Sequence, residues 1–347
     1  MKIYVAQQNY HIGNFTLNRD KMIQAVEDGR KAGADLIVFS ELSVCGYPPR
    51  DFLEFEDFMQ QTEKTIQEIA QHSHGIGIIV GAPTPNPQPE GKNLLNSALL
   101  LYNGNIQGIV SKSLLPNYDV FDEYRYFEPA YSWNCIEFMG KKLAITICED
   151  IWNLGDNPLY RVCPMDELIG QKPDVLLNLS ASPFDYTHVE DRKAILKQNT
   201  QRYRVPVIYC NAVGSQTELV FDGGSLVMDK DSNLIEQLPL FEEAISVVEL
   251  TAHGTFRSAT SVPAAEIPNE ELDPLQLDAQ LCTAEIYQAL VMGIRDYFGD
   301  LSLCLVEWPE RGLGALPSAD LVINIEREGR GRRVVYRAQT EQGERVL

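Results

Sequence analysis

The chain is poor in several residue types and patterns, and each shortage excludes something. Seven cysteines stand at 45, 135, 148, 163, 210, 282 and 304 of 347 residues. They form no Cys-x-x-Cys pair and no regular spacing, so neither a disulfide framework nor a metal site is expected. Positive charge is short: 29 Lys and Arg face 49 Asp and Glu, a net charge of −20. That balance argues against nucleic acid or an anionic membrane as the main partner. No apolar run approaches the roughly 20 residues that span a bilayer. The N-terminus, MKIYVAQQNYHIGN, enters a strand without the apolar region of a signal peptide. A cytoplasmic protein with reduced thiols is expected. No GxxxxGK[ST] loop occurs, so there is no P-loop for nucleotide phosphates.

What is present centres on Lys142–Trp152, KLAITICEDIW. Leu143 to Ile147 reads as a buried strand that runs directly into Cys148, Glu149 and Asp150. Ligands in open α/β sheets sit at the carboxyl ends of strands. Cys148 therefore reads either as a nucleophile or, since free cysteine behaves as a small hydrophobe, as core filler.

The first 250 residues alternate between strand and helix signals. Strands are predicted at Lys2–Gln7, Asp35–Ser40, Gly77–Gly81 and Ser97–Leu101, with another leading from Ile109 to Lys112. Later ones follow at Val175–Leu179, Val207–Asn211, Gly224–Met228 and Ala244–Glu249. Helical spacing marks Asn18–Ala32, Asp57–His72 and about Val189 to Arg204. A mixed sheet, or a pair of sheets flanked by helices, fits this order.

Three predicted strands deliver a reactive side chain at their carboxyl ends: Glu41, Lys112 and Cys148. Each has a bland reading alone, as a capping acid, a solvated amine or a core thiol. Together they form a complete set for acyl transfer. A sulfur attacks a carbonyl carbon, a carboxylate takes the thiol proton, and an ammonium stabilises the oxyanion. None of the five histidines (11, 72, 74, 188, 253) stands at a predicted strand end facing a loop, so a Cys–His dyad is not expected.

The stretches FSELSVCGYPPRD, SKSLLPNYDVFDEYRYFEP and ITICEDIW resemble the carbon–nitrogen hydrolase (nitrilase) family. The second and third are closer to one branch, the glutaminase half of glutamine-dependent NAD synthetases. The resemblance covers residues 1 to about 250. It implies a four-layer α-β-β-α sandwich and a Glu41–Lys112–Cys148 triad. It implies too that Cys148 forms a γ-glutamyl thioester from L-glutamine and releases ammonia, with Glu41 as base and Lys112 on the oxyanion side. Tyr118 in LPNY and Ser182 in SASPF match substrate-holding positions of that branch. Where the branch often has Gly-Lys or Gly-Arg, this chain has Thr187-His188, so the cation for the substrate carboxylate is expected to be His188, Arg192 or another residue. No cofactor is implied for this step. A homo-oligomer, at least a dimer, is implied. Another amidase or nitrilase of the same fold is the alternative, and an assembly surface with an idle triad stands third.

Residues 251–275 read as a polar linker, and Gln276–Phe298 as a helix resembling the one that opens the synthetase half. The SGGxDS loop that would grip ATP there is absent from the sequence. ATP and magnesium are therefore expected only if a separate synthetase domain supplies that site. From Leu301 on, seven arginines and seven acids cancel and lysine is absent, so the negative charge lies in the first 300 residues. This tail, 299–347, predicts strands at Leu303–Val306, Leu321–Glu326, Arg333–Ala338 and Arg345–Val346, a short irregular or β extension. Its LCLVEWPERG and LPSADLVINI resemble the end of a small bacterial ATPase of transfer-RNA threonylcarbamoyl modification. The tail is read as a joined fragment, from rearrangement or an assembly error near GIRDYF, or as a purposeful fusion.

Overall fold

The structure, a computed structural model, describes residues 1–154, 158–258, 274–298, 321–328 and 331–339. It divides into two units, Met1–Tyr297 and Phe298–Leu347.

The first unit begins with β1 (Lys2–Gln7), α1 (Phe15–Lys31), β2 (Leu36–Val38), α2 (Glu56–Ala70), β3 (Gly77–Pro85), β4 (Leu94–Tyr102) and β5 (Asn105–Ser111). Then come α3 (Glu123–Tyr126), β6 (Ile136–Phe138), β7 (Lys141–Ile147), α4 (Pro164–Leu168), β8 (Val175–Ser180), α5 (His188–Tyr203) and β9 (Val207–Asn211). A hairpin of β10 (Val213–Gln216) and β11 (Leu219–Asp222) precedes β12 (Leu226–Met228), β13 (Leu234–Gln237), β14 (Ala244–Leu250), β15 (Phe256–Ser258) and α6 (Pro274–Phe298). β15 pairs with β14 inside the stretch expected as linker. Residues 259–273 of that stretch lie outside the described residues.

Two sheets carry the unit. One has the order β15-β14-β1-β2-β3-β4-β5 and the other β13-β12-β9-β8-β7-β6. Pairing is parallel at the centre of each, β1-β2-β3 and β7-β8-β9, and antiparallel outside. Strands covered on both faces need apolar residues at nearly every position, and successive side chains then face opposite layers. The registers show this. Ile3, Val5, Val38 and Leu100 face Leu143, Ile145, Ile147, Leu177 and Ile208 in a core between the sheets. The intervening Tyr4, Ala6, Ile37 and Val80 pack on Met22, Val26, Ile66 and Ile69 of α1 and α2. On the other side Ala144, Leu176, Val207 and Tyr209 pack on Met165, Ile195, Leu196 and Tyr203 of α4 and α5. The result is the four-layer α-β-β-α sandwich.

α6 attaches through Ala289 and Met292, which pack with Val213, Val220, Phe184 and Phe241. Asp296 reinforces it by accepting hydrogen bonds from Asn9 Nδ2 and the Ser215 amide at 2.9 and 2.8 Å. Of the other apolar residues along α6, Ala284, Tyr287, Leu290 and Ile294 are exposed. A helix apolar on more than one face does not state which face it will bury.

The second unit contains an antiparallel hairpin, β16 (Leu321–Glu328) with β17 (Gly331–Ala338). Two of the strands expected in the tail are these. The other two, at Leu303–Val306 and Arg345–Val346, lie outside the described residues.

Candidate active site

β2, β5, β7, β8 and β9 all run in one direction within their sheets, because β5 is antiparallel to β4 and β4 to β3. Their carboxyl ends therefore gather at one end of the sandwich, and the residues just beyond them build the site.

Glu41 lies three residues past β2, in a turn where Leu42 has φ +45°. The turn presses on β3: a Cβ at Gly81 would fall 2.3 Å from the Leu42 amide nitrogen. No real Cβ tolerates that, so glycine at 81 is what lets the backbone of Glu41 sit so close. Ser43 Oγ and the Gly81 carbonyl complete the join, taking the Gly81 amide at 3.2 Å and the Val44 amide at 3.0 Å. Lys112 follows the last residue of β5, and its amide donates to the Asn96 carbonyl of β4 at 2.8 Å. Cys148 follows the last residue of β7, with φ +44°. A non-glycine residue in that region is strained. A nucleophile on such a strand-to-helix turn is turned out of the sheet toward the loops.

The three side chains are buried, with Lys112 at 0%, Glu41 at 2% and Cys148 at 4% relative exposure. Lys112 Nζ donates to Glu41 Oε1 at 2.8 Å and to Glu123 Oε1 at 2.7 Å. Asn96 Nδ2 donates to Glu41 Oε1 at 2.8 Å. Tyr47 Oη donates to Glu123 Oε1 at 2.9 Å, and the Ala181 amide donates to Glu41 Oε2 at 3.0 Å. Glu41 is thus an acceptor fixed from three directions.

Electrostatics follow from this packing. Burial pushes the Glu123 carboxyl up to about 7 against the pull of Lys112, and the nearby charge of Glu41 adds to the rise. Burial alone would push the Lys112 ammonium down, but Glu123 and Glu41 outweigh it and hold Lys112 well above the usual lysine range. Burial, followed by the charge of Glu41, pushes the Cys148 thiol well above its ordinary value, with Lys112 opposing. The resting sulfur is therefore a thiol, and a base must take its proton during attack.

Asp150 ties the parts together. Its Oδ1 accepts the amides of Ser113 and Leu114 at 3.0 and 2.9 Å, and its Oδ2 accepts that of Ile147 at 3.0 Å. The segments holding Lys112 and Cys148 are thereby joined through one buried carboxylate, whose pKa burial raises to about 6.

The residues matched to substrate positions fall as follows. Tyr118 is partly exposed, and its hydroxyl donates to Glu149 Oε1 at 2.8 Å. Burial raises the pKa of the Glu149 carboxyl as well. Ser182 is buried just past β8, with its amide on Asn211 Oδ1 at 2.9 Å. His188 opens α5, half-buried, its Nδ1 3.1 Å from the Pro183 carbonyl. Arg192 is not free to meet a ligand: it is 1% exposed and paired with Asp222 at 2.8 Å. Sequence reasoning missed Glu123, Asn96, Tyr47 and Asp150 as members of the site. Among the described residues no cluster has the make-up of a metal centre.

A cysteine on a strained strand end, with an ammonium locked between buried carboxylates, has the chemistry that covalent acyl transfer calls for. The family described as carbon-nitrogen hydrolase matches residues 2–255. The chain belongs to this family. It is thus an enzyme of the nitrilase superfamily. The chain is 36% identical over 302 residues to the glutamine-dependent NAD(+) synthetase of Synechocystis sp., covering 85% of this chain and 52% of that one. It is 34% identical over 315 residues to that of Thermotoga maritima, covering 86% and 53%. The chain spans about half the length of these curated relatives. Among solved structures, a glutamine-dependent NAD+ synthetase from Acinetobacter baumannii in complex with ADP superposes with a TM-score of 0.73 at 32% identity, over 85% of this chain and 51% of that one. An amidase from Nesterenkonia sp. AN1 shares the fold, with a TM-score of 0.61 at 21% identity, over 73% of this chain and 94% of that one. Among the described residues no helix of this carbon–nitrogen hydrolase is long and apolar enough to cross a membrane.

Proposed function

We propose that this carbon–nitrogen hydrolase cleaves the side-chain amide of L-glutamine to glutamate and ammonia through a thioester on Cys148. Glu41 takes the thiol proton as sulfur attacks the amide carbon, and Lys112 stabilises the oxyanion. Glu41 returns the proton to the nitrogen, the C–N bond breaks, and ammonia leaves. Water then attacks the thioester, giving up a proton to Glu41, which passes it to the departing sulfur. Atoms and protons balance with side chains and water alone, so the step as proposed calls for no cofactor.

The observation that carries glutamine rather than any amide is the Tyr118–Glu149 pair. The pair sets a carboxylate next in sequence to the nucleophile, oriented by a phenol, and on this reading that carboxylate serves as the counter-charge of the α-ammonium. Ser182 and the half-buried His188 are proposed for the α-carboxylate, since Arg192 is committed to Asp222.

The names of the relatives support a role for the ammonia in amidating deamido-NAD+. That step would use ATP and magnesium at a synthetase site on a separate domain. The protein is proposed to be cytoplasmic and to assemble as at least a dimer, which light scattering would report. The relatives named above do not support the tail's resemblance to the transfer-RNA-modifying ATPase, and no role is assigned to it.

The test is release of glutamate and ammonia from glutamine, beside a panel of other amides and nitriles and with Cys148→Ala as control. Turnover of another amide with none of glutamine overturns the reading.

A further inference from the structure

Arg192 is a buried cation that the acyl-transfer steps do not use. It projects inward from α5 and meets Asp222, at the end of β11, through both arms: Nη1 to Oδ2 at 2.9 Å and Nη2 to Oδ1 at 2.8 Å. The fork also reaches three carbonyls, those of Pro183 at 3.2 Å, Ser182 at 3.3 Å and Gly223 at 3.4 Å. Asn211 holds the same segment from the other side. It accepts the Ser182 amide at 2.9 Å and donates to the Gly223 carbonyl at 2.8 Å. His188, one helical turn before Arg192, lies against the Pro183 carbonyl as well. The backbone of residues 181–183 is thus tied down by side chains, and one amide in it, that of Ala181, is aimed at Glu41 Oε2.

Burying a guanidinium and a carboxylate together is seldom more stabilising than burying apolar groups of the same size. The ion pair is therefore better explained by what its geometry fixes than by stability. Its five donors in one plane suit a site where two carboxylate oxygens and several carbonyls must be held together.

We propose that Arg192, clasped by Asp222, is a positioning residue for the base: it fixes the Ser182 and Pro183 carbonyls so that the Ala181 amide holds Glu41 in line with Cys148. The proposal rests on the acyl-transfer reading of the triad. It does not depend on glutamine being the substrate. A loosened clamp lets Glu41 rotate, which slows removal of the thiol proton.

The test uses the full chain and reads Cys148 directly, by its rate of alkylation with iodoacetamide followed by mass-spectrometric peptide mapping. The double variant Arg192→Met/Asp222→Asn removes both charges at nearly unchanged volume and leaves the three carbonyls without their donor, so it is expected to fold and to melt somewhat below the wild type. Cys148 alkylation should nevertheless slow about ten-fold or more, part of the ~10²–10⁴ that a positioned base contributes. Turnover of glutamine should fall in kcat. In a Glu41→Gln background the same double change should have no further effect on alkylation, which damage elsewhere would not reproduce. Arg192→Lys, which keeps the charge and loses the fork, should slow alkylation likewise. A folded double variant alkylated at the wild-type rate overturns the proposal. If neither variant folds, the pair is an element of the fold and the proposal fails as well. Failure of glutamine as substrate with slowed alkylation would count against the glutaminase reading alone.

Discussion

Lys112 Nζ lies 2.7 Å from Glu123 Oε1, as close as it lies to Glu41. One ammonium thus serves two buried carboxylates, and the pair with Glu123 is one of the groups that set how the site responds to pH, beside Asp150 and Glu149. The Glu123 carboxyl has its pKa raised from 4.5 to about 7, chiefly by burial. Below the lower value it is protonated in both the folded and the unfolded chain. Between the two values only the unfolded chain loses the proton, so stability falls as pH rises; above the upper value the loss is complete. Glu123→Gln removes this titration. Its melting temperature relative to the wild type should rise between pH 4.5 and 7 and then stay level, a swing of roughly 3 kcal/mol at about 1.4 kcal/mol per pKa unit. A constant difference across that range would show that Glu123 is ionised throughout.

Substitutions in the triad should separate three kinds of loss. Cys148→Ala should abolish thioester formation with the secondary structure intact. Glu41→Gln should lower kcat by about 10²–10⁴, because an amide cannot accept the thiol proton. Lys112→Met should cost about 10²–10³ in kcat, as for one lost oxyanion donor. It also leaves Glu41 and Glu123 buried without their shared cation, so its melting temperature should fall most of the three. Far-UV circular dichroism and steady-state release of product report both effects.

Asp150→Asn replaces an acceptor of three amides with a group that must itself donate. At least one of the amides of Ser113, Leu114 or Ile147 then goes unpaired, at a cost of about 1–3 kcal/mol. Because the same carboxylate joins the segments of Lys112 and Cys148, kcat should fall along with the melting temperature. Full activity in a destabilised variant would confine Asp150 to folding.

Reading the α-ammonium should be separable from catalysis. Glu149→Gln is expected to raise KM for glutamine by about 10–100-fold, the range of a charge-assisted hydrogen bond. Tyr118→Phe, which only frees Glu149 to turn, should raise it roughly 2–10-fold. For a substrate lacking the α-amino group, such as glutaric acid monoamide, neither change should matter. Equal losses for both substrates would place Glu149 with the chemistry instead.

The parts of this molecule legible in the sequence were those set by local pattern. β7 and the Cys148 turn stand out because a strand buried on both faces must be apolar throughout. Glu41 stands out because it follows another such strand, β2, and Lys112 because it closes the short apolar stretch at the end of β5, a largely exposed edge strand. Glu123 was in plain view yet unmarked. It sits among Asp119, Asp122 and Glu128, and only tertiary packing decides that it is 4% exposed while Asp122 faces solvent. Arg192 shows the reverse case, a charge read as available that folding commits to Asp222. The β10–β11 hairpin was missed because its strands of four residues carry no alternation long enough to register.

Cys148 holds a left-handed backbone that only glycine adopts without strain. Selection for folding alone would therefore drive the position toward glycine, and drift would rarely restore a side chain whose presence costs stability. A population freed from the need for this enzyme should lose its sulfur before it loses its core. On the proposed reading, the sulfur at 148 is held against the preference of the backbone.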